Sequence, residues 1–225
     1  MDKQNYFNSV TQQVLELKDL AAVQVEKCFD LQKLKEMLPP ETAGKIQRVI
    51  VTGCGDSYSA AGAMRPALRE LSGIYDCNAP DVVDFCRYYS ENRILKRHRP
   101  EEVLVISISF SGNSVRAAEA LERAKNLGLY SLAITGNKAS RCGEAAELVL
   151  DVETPQGCNT PGLRSYYASL VALSAVGAYL GLCRGKLTQE RFAQIGTQIR
   201  DYTLEFMEHI GDIDTQMFET ACVMK

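Results

Sequence analysis

Short apolar runs that each break off into glycine or hydroxyl residues, and then into a helical stretch, leave this chain few folds. Arg48-Val-Ile-Val-Thr-Gly53, Glu102 to Ser109, Tyr130 to Thr135 and Glu147 to Val152 are too short for buried helices. They are also too continuously apolar for strands with one face in water. Between them Ser57 to Leu71, Ser114 to Leu127 and Ala139 to Ala146 carry helical spacing, and Gly73 and Gly128 stand where a helix ends in a left-handed residue. Asp81 to Cys86 reads as one more strand, followed by a charged helical stretch to Arg99. Strands alternating with helices predict a parallel sheet covered on both faces, a three-layer α/β/α sandwich.

Helices flank this unit. Phe7, Val10, Val14, Leu17, Ala21, Val25 and Cys28 recur at three- and four-residue steps, and a second helix from Leu31 stops at Pro39-Pro40. Leu187 to Met207 and Asp212 to Lys225 read as helices after the sheet. The expected division is therefore a helical segment 1–45, a sheet domain 46–184 and a helical extension 185–225. Ser165 to Cys183 holds no charged residue and is long enough to raise the question of a membrane span. Its serines, tyrosines and glycines favour a buried, closely packed helix instead, and no membrane partner is expected.

A net charge of -3 over 225 residues offers nothing to nucleic acid. The one basic cluster, Arg93 to Arg99, reads as a solvated helix end. Eight cysteines without a C-x-x-C pair, beside only two histidines, argue against a zinc site, and no metal is expected. Met1-Asp2-Lys3-Gln4-Asn5 lacks the pattern of a secretory signal. Reduced thiols in a cytoplasmic protein are the expectation.

Chemistry concentrates where strands hand over to helices. Ser107-Ile-Ser-Phe-Ser-Gly-Asn-Ser114 places four hydroxyls at a helix N-terminus, where backbone N–H groups are unpaired and the dipole is positive. Such a site favours an anion, and a phosphate monoester has the acceptor oxygens to fill it. Gly53-Cys-Gly-Asp-Ser57 occupies the same position after an earlier strand, and the two loops would form the walls of one pocket beyond the carboxyl ends of the strands. Gly53-x-Gly55 could open a dinucleotide fingerprint, but Tyr58 stands where the third glycine belongs, and no nucleotide P-loop is present. No cofactor is expected. Ser114 as a simple helix cap would leave Ser109 and Ser111 unexplained.

Val49-Ile-Val-Thr-Gly-Cys-Gly-Asp-Ser-Tyr-Ser-Ala-Ala61, Ile106-Ser-Ile-Ser-Phe-Ser-Gly-Asn-Ser-Val115 and Ala133-Ile-Thr-Gly136 together resemble the sugar isomerase (SIS) domain family, from about Ile46 to Leu182. The chain is most similar to the first half of the isomerase unit of glucosamine-6-phosphate synthases, and resembles fructosamine-6-phosphate deglycases. The resemblance implies a five-stranded parallel sheet of flavodoxin-like order and a sugar phosphate as ligand. It implies that Gly55, Asp56, Ser57, Ser109, Phe110, Ser111, Gly112, Asn113 and Ser114 bind it. Phe110 stands where the synthases carry glutamine, Asn113 where relatives often carry an acid, and Arg164 in place of a lysine. The implied activity is a phosphosugar isomerase or deglycase. The alternative is a non-catalytic phosphosugar-binding module, or half of a tandem assembly. Relatives also imply a homodimer or higher oligomer, with apolar helix surface to support it.

Moving a proton next to a carbonyl needs a base. Glu153, following the last strand, is the first candidate. His98 stands in the basic cluster, and Glu205, Glu208 and His209 lie on the last helices; Glu205 and His209 share a helix face.

Overall fold

A computed structural model of the chain describes Lys3, residues 7–155, Gly157 and residues 162–224. Five parallel strands are formed: β1 (Arg48–Gly53), β2 (Cys77–Asn78), β3 (Val103–Ile108), β4 (Tyr130–Thr135) and β5 (Leu148–Asp151). Their order is β2-β1-β3-β4-β5, so the chain winds one way from β1 to β2 and the other way from β3 onward. Arg48 to Gly53 pair with Val103 to Ile108 in register, and Leu104 to Ile108 pair with Tyr130 to Ile134. Both β1 and β3 are buried at all six positions, the mark of a strand covered on both faces.

Alternation sends the strand residues to two cores. Val49, Val51, Leu104, Ile106, Ile108, Leu132, Ile134 and Leu150 face the larger one. It is closed by α5 (Asp56–Ser72), α9 (Leu163–Cys183), α2 (Leu17–Cys28) and α10 (Gln189–Glu208). Ile50, Val103 and Val105 face the other side, under α7 (Val115–Asn126) and α6 (Glu91–Leu95). Val25, Leu34, Phe192 and Ile195, from the flanking helices, share the larger core with the strands.

Helix α9 is long and apolar enough to cross a membrane by length and composition alone, yet 72% of its most apolar window is buried in this fold. It is apolar on every side because α5, α2 and α10 surround it. Gly181 allows the closest approach, since a Cβ there would lie 2.1 Å from the Leu71 carbonyl oxygen of α5. A second glycine, Gly177, faces Leu68 one turn earlier.

Three expectations are corrected. Asp81 to Cys86 is not a strand: Asp81 Oδ1 accepts from the Val83 amide at 2.8 Å, and Asp84–Tyr88 forms a π-helical turn. Arg123 of α7 holds that turn by donating to the Phe85 and Cys86 carbonyls at 2.6 Å and to the Tyr89 carbonyl. Its apolar residues pack under α7, and the edge strand shrinks to Cys77–Asn78. The N-terminal helix breaks at Glu16 into α1 (Ser9–Leu15) and α2. Arg93 to Arg99 is more than a solvated helix end. Arg93 stacks 3.7 Å over the Tyr89 ring, while Lys96 Nζ and His98 Nε2 lie 3.1 and 3.2 Å from the Asp76 carboxylate.

The remaining helices are α3 (Leu31–Met37), α4 (Pro40–Ala43), α8 (Arg141–Ala145) and α11 (Ile210–Val223). The seven described cysteines are all free. Burial pushes the Cys28 thiol up to about 12 and those of Cys77 and Cys86 to about 11, as for sulfur in an apolar core.

Candidate functional site

The winding reverses between β1 and β3, so the loops leaving those neighbouring strands diverge to opposite faces and open a crevice at their carboxyl ends. Gly53 ends β1. A side chain there would meet Ser57 Cβ at 2.7 Å, so glycine lets the first turn of α5 sit directly on the strand end. Gly55 precedes the helix at φ 55°, ψ -125°, with open space where a Cβ would be. The Ser57 amide donates to the Cys54 carbonyl at 3.1 Å and closes this loop.

The serine loop is the opposite wall. Ser109 is buried, its amide donating to the Ile134 carbonyl at 3.0 Å, and its hydroxyl lies beside the Cys142 thiol. Ser111 is exposed and its Oγ accepts from the Asn113 amide at 3.4 Å. Ser114 caps α7 by accepting from the Ala117 amide at 3.3 Å. Its hydroxyl also meets Cys54 Sγ at 3.4 Å, which joins the two walls. Among the described residues the amides of Ser111 and Ser114 have no acceptor. The two helix ends differ in charge. Asp56 already occupies the first turn of α5, whereas the first turn of α7 holds no acid. An incoming anion is therefore favoured over α7.

A third loop, after β4, shapes the second. Gly112 has φ 70° and sits against Ser140 Oγ, and its carbonyl accepts from the Cys142 amide at 2.9 Å. The Phe110 carbonyl accepts from the Gly136 amide at 2.8 Å and from Thr135 Oγ1 at 3.3 Å. Its ring lies against Gly136. The Phe110 side chain is thus spent on packing. Thr135, quoted only within the Ala133–Gly136 motif, and Ser140 were not among the candidate binding residues, because their hydroxyls act through the shape of a neighbouring loop.

Glu153 lies just past β5, exposed, with its carbonyl accepting from Gln24 Nε2 and Lys27 Nζ at 3.1 Å. His98 is at the wrong end of the sheet. Its partner Asp76 also binds Arg48 at the amino end of β1, roughly 17 Å of strand away from Gly53. Burial alone would raise the Asp76 carboxyl, but hydrogen bonds from Lys96, Arg48 and His98 hold it down at about 2. Glu205, Glu208 and His209 are exposed where α10 meets α11 in the outer layer. Arg164 is buried rather than lining the serine loop, 3.3 Å from Glu16 Oε2 and donating to the Pro155 carbonyl at 2.7 Å. No group of three or more metal-ligating side chains occurs among the described residues.

Residues 91–180, which hold the serine loop, three strands and most of α9, match the SIS domain family model. Over that stretch the chain is similar to a SIS domain. Over 161 residues it is 31% identical to a glutamine–fructose-6-phosphate aminotransferase (isomerizing) of Pseudomonas syringae pv. tomato, covering 71% of this chain and 25% of that protein. The chain thus spans about a quarter of the length of the curated relatives it matches. Among solved structures, the C-terminal domain of the glucosamine-fructose-6-phosphate aminotransferase from Francisella tularensis superposes with a TM-score of 0.75 at 15% identity, covering 90% of this chain and 56% of that one. A tagatose-6-phosphate ketose/aldose isomerase from Escherichia coli gives a TM-score of 0.59 at 18% identity, covering 93% of this chain and 56% of that one. These likenesses confirm the SIS fold expected from the paired loop motifs. The family match begins at Glu91, so the first wall of the crevice, Gly53 to Ser57, lies outside it.

Proposed function

We propose that this SIS domain binds a hexose or amino-sugar 6-phosphate across the two loops and isomerises it between aldose and ketose forms, with no cofactor. The observation that carries the reading is the α7 terminus. Ser109, Ser111 and Ser114 crowd an acid-free helix start that faces the Gly53–Ser57 loop across the 3.4 Å contact of Cys54 with Ser114. Gly112 and Phe110 hold that loop in shape, and Asn113 and Ser111 line its open side. Ser57, Gly55 and Asp56 stand opposite, with Asp56 too acidic to hold phosphate and better suited to a sugar hydroxyl. We assign the base to Glu153, whose exposed carboxylate has no ion pair among the described residues.

Losing a hydrogen bond from a hydroxyl to a charged phosphate costs about 1.5–3 kcal/mol. The Ser109→Ala, Ser111→Ala double variant is therefore expected to weaken glucose 6-phosphate at least tenfold by calorimetry, on the order of one lost bond. Unchanged affinity refutes the assignment of the loop. In a coupled isomerase assay Glu153→Gln should bind the sugar but lose turnover, and full activity in that variant would move the base elsewhere.

We take 46–184 as the phosphosugar unit and the helices on either side as its supports. A non-catalytic or half-site role is the second reading. It is favoured by α11, which has no buried residue and faces α1 across an apolar groove of about 360 Å³ lined by Val10, Val14, Ile210, Ile213 and Met217. We infer that a second copy of the chain covers this groove. A mass measurement in solution that finds only monomer refutes it. The seven free thiols among the described residues favour the cytoplasm as its compartment.

A further inference from the structure

Glu153 is held by its backbone, and the groups that hold it form a closed ring. Its amide donates to Asp151 Oδ1 at 2.8 Å. Its carbonyl accepts from Lys27 Nζ at 3.1 Å, and the same ammonium lies 3.1 Å from Asp151 Oδ1. Gln24 Nε2, one turn earlier on α2, donates to the second lone pair of that carbonyl at 3.1 Å. Gln24 is fully buried, and the Lys27 and Asp151 side chains are only 27% and 22% exposed, so water competes little for these bonds. On the far side Pro155 restricts Thr154 to extended backbone. The Glu153 carboxylate itself makes no hydrogen bond or ion pair among the described residues.

An exposed loop residue ordinarily leaves its peptide groups to water. Here a lysine 126 residues earlier in the chain binds one of them. Fixing both peptide groups fixes the direction of the Cα–Cβ bond, and with it the point from which the carboxylate reaches out. A general base needs that placement. It must come within hydrogen-bond reach of the proton it removes, and a displacement of about 1 Å costs on the order of a hundredfold in rate. Strand β5 stands two places from β3, roughly 10 Å away, so Glu153 is set off from the α7 phosphate site by about the length of an open hexose. Lys138, 3.8 Å from Asp151 Oδ2, ties the same carboxylate to the loop after β4 that shapes the serine loop.

Resting on the isomerase reading above and its base, we propose that Lys27 is a positioning residue for Glu153, which makes α2 a working part of the site. Lys27→Met tests it. Gln24 still holds the carbonyl and Lys138 still pairs with Asp151, so the variant should keep the native thermal midpoint. In a coupled assay on fructose 6-phosphate its kcat should fall about tenfold to a hundredfold with KM unchanged. Lys27→Arg, which keeps a cation with more than one donor, should recover most of that loss. Asp151→Ala opens the same ring from β5 and serves where the methionine variant melts early. The double variant Lys27→Met, Glu153→Gln separates positioning from a general weakening of the fold. If Lys27 acts through Glu153, the double variant keeps the residual rate of Glu153→Gln. A further loss as large as that of Lys27→Met alone overturns the proposal. Native kcat in a ring variant that keeps the native midpoint, with Glu153→Gln inactive, overturns it too and leaves the base in place. Native activity in Glu153→Gln overturns the base assignment, and an inactive native chain the isomerase reading, each taking this proposal with it.

Discussion

Gly112 and Gly55 both carry positive φ in the two walls of the crevice, at 70° and 55°, and their replacement by alanine separates two effects. At Gly55 a new Cβ would touch nothing within 4 Å, so Gly55→Ala introduces only backbone strain, about 1–3 kcal/mol. At Gly112 the same Cβ would lie 1.8 Å from Ser140 Oγ, 2.3 Å from Ser140 Cβ and 2.9 Å from Thr135 Oγ1. Ser140 cannot simply rotate away. It is buried, donates to the Asn137 carbonyl at 2.5 Å and caps α8 through the Gly143 amide. Overpacking adds about 1–3 kcal/mol, which brings Gly112→Ala to about 2–6 kcal/mol. Each kcal/mol moves the thermal midpoint of a chain this long by about 2–4 °C. Calorimetric unfolding with and without inorganic phosphate reads both consequences. Gly112→Ala should melt several degrees below Gly55→Ala, and it should also lose its stabilisation by phosphate, because the serine loop must shift to admit the methyl group. Equal midpoints, with phosphate still stabilising Gly112→Ala as it does the native chain, would refute the claim that the loop after β4 shapes the anion site.

Asp76→Asn should destabilise the fold by about 3–5 kcal/mol near neutral pH, because the buried Arg48 guanidinium loses its counter-charge. The Asp76 carboxyl is depressed to about 2, so its contribution is complete above the usual carboxylate range near 3.9 and is lost as pH falls from about 4 toward 2. Denaturant titrations across that window should show a weaker pH dependence in Asp76→Asn. In thiol alkylation, the exposed Cys54 and Cys222 should react in the folded protein and the buried Cys28 and Cys77 only on unfolding. Phosphate should slow Cys54 and leave Cys222 alone, and equal slowing at both would place the ligand elsewhere. Gly181→Ala should cost about 1–3 kcal/mol by forcing α9 off the Leu71 carbonyl, measured as a lower denaturation midpoint with an unchanged slope.

Much of the scaffold was legible because it is written between near neighbours. The runs around Val49, Val105 and Leu132 are strands for their continuous apolarity, and Gly73 and Gly128 end their helices with φ near 71° and 72°. The serine loop announced itself by hydroxyls placed after a buried strand. Asp81 to Cys86 misled for the same reason. Val82, Phe85 and Cys86 are apolar enough for a strand, but Arg123, 37 residues beyond Cys86, supplies the donors that make a π-helical turn the better use of those carbonyls. His98 shows a different limit. Its residue type fits a catalytic base, and only the direction of the parallel strands shows that it stands at their amino ends.

The amino-acid sequence by itself determined the alternating elements, the parallel sheet and the position of an anion-favouring helix start, since each depends on periodicity and end chemistry within some ten residues. Tertiary structure decided which loops face one another, that Asp56 leaves α7 as the freer positive end, and that Phe110 packs on Gly136. It also decided that Gln13 caps a helix 150 residues away and leaves its amide nitrogen unpaired beside Arg164. Such contacts join segments with no local reason to meet. They exist only because burying the apolar faces of α2 and α9 brings the neighbouring polar atoms together.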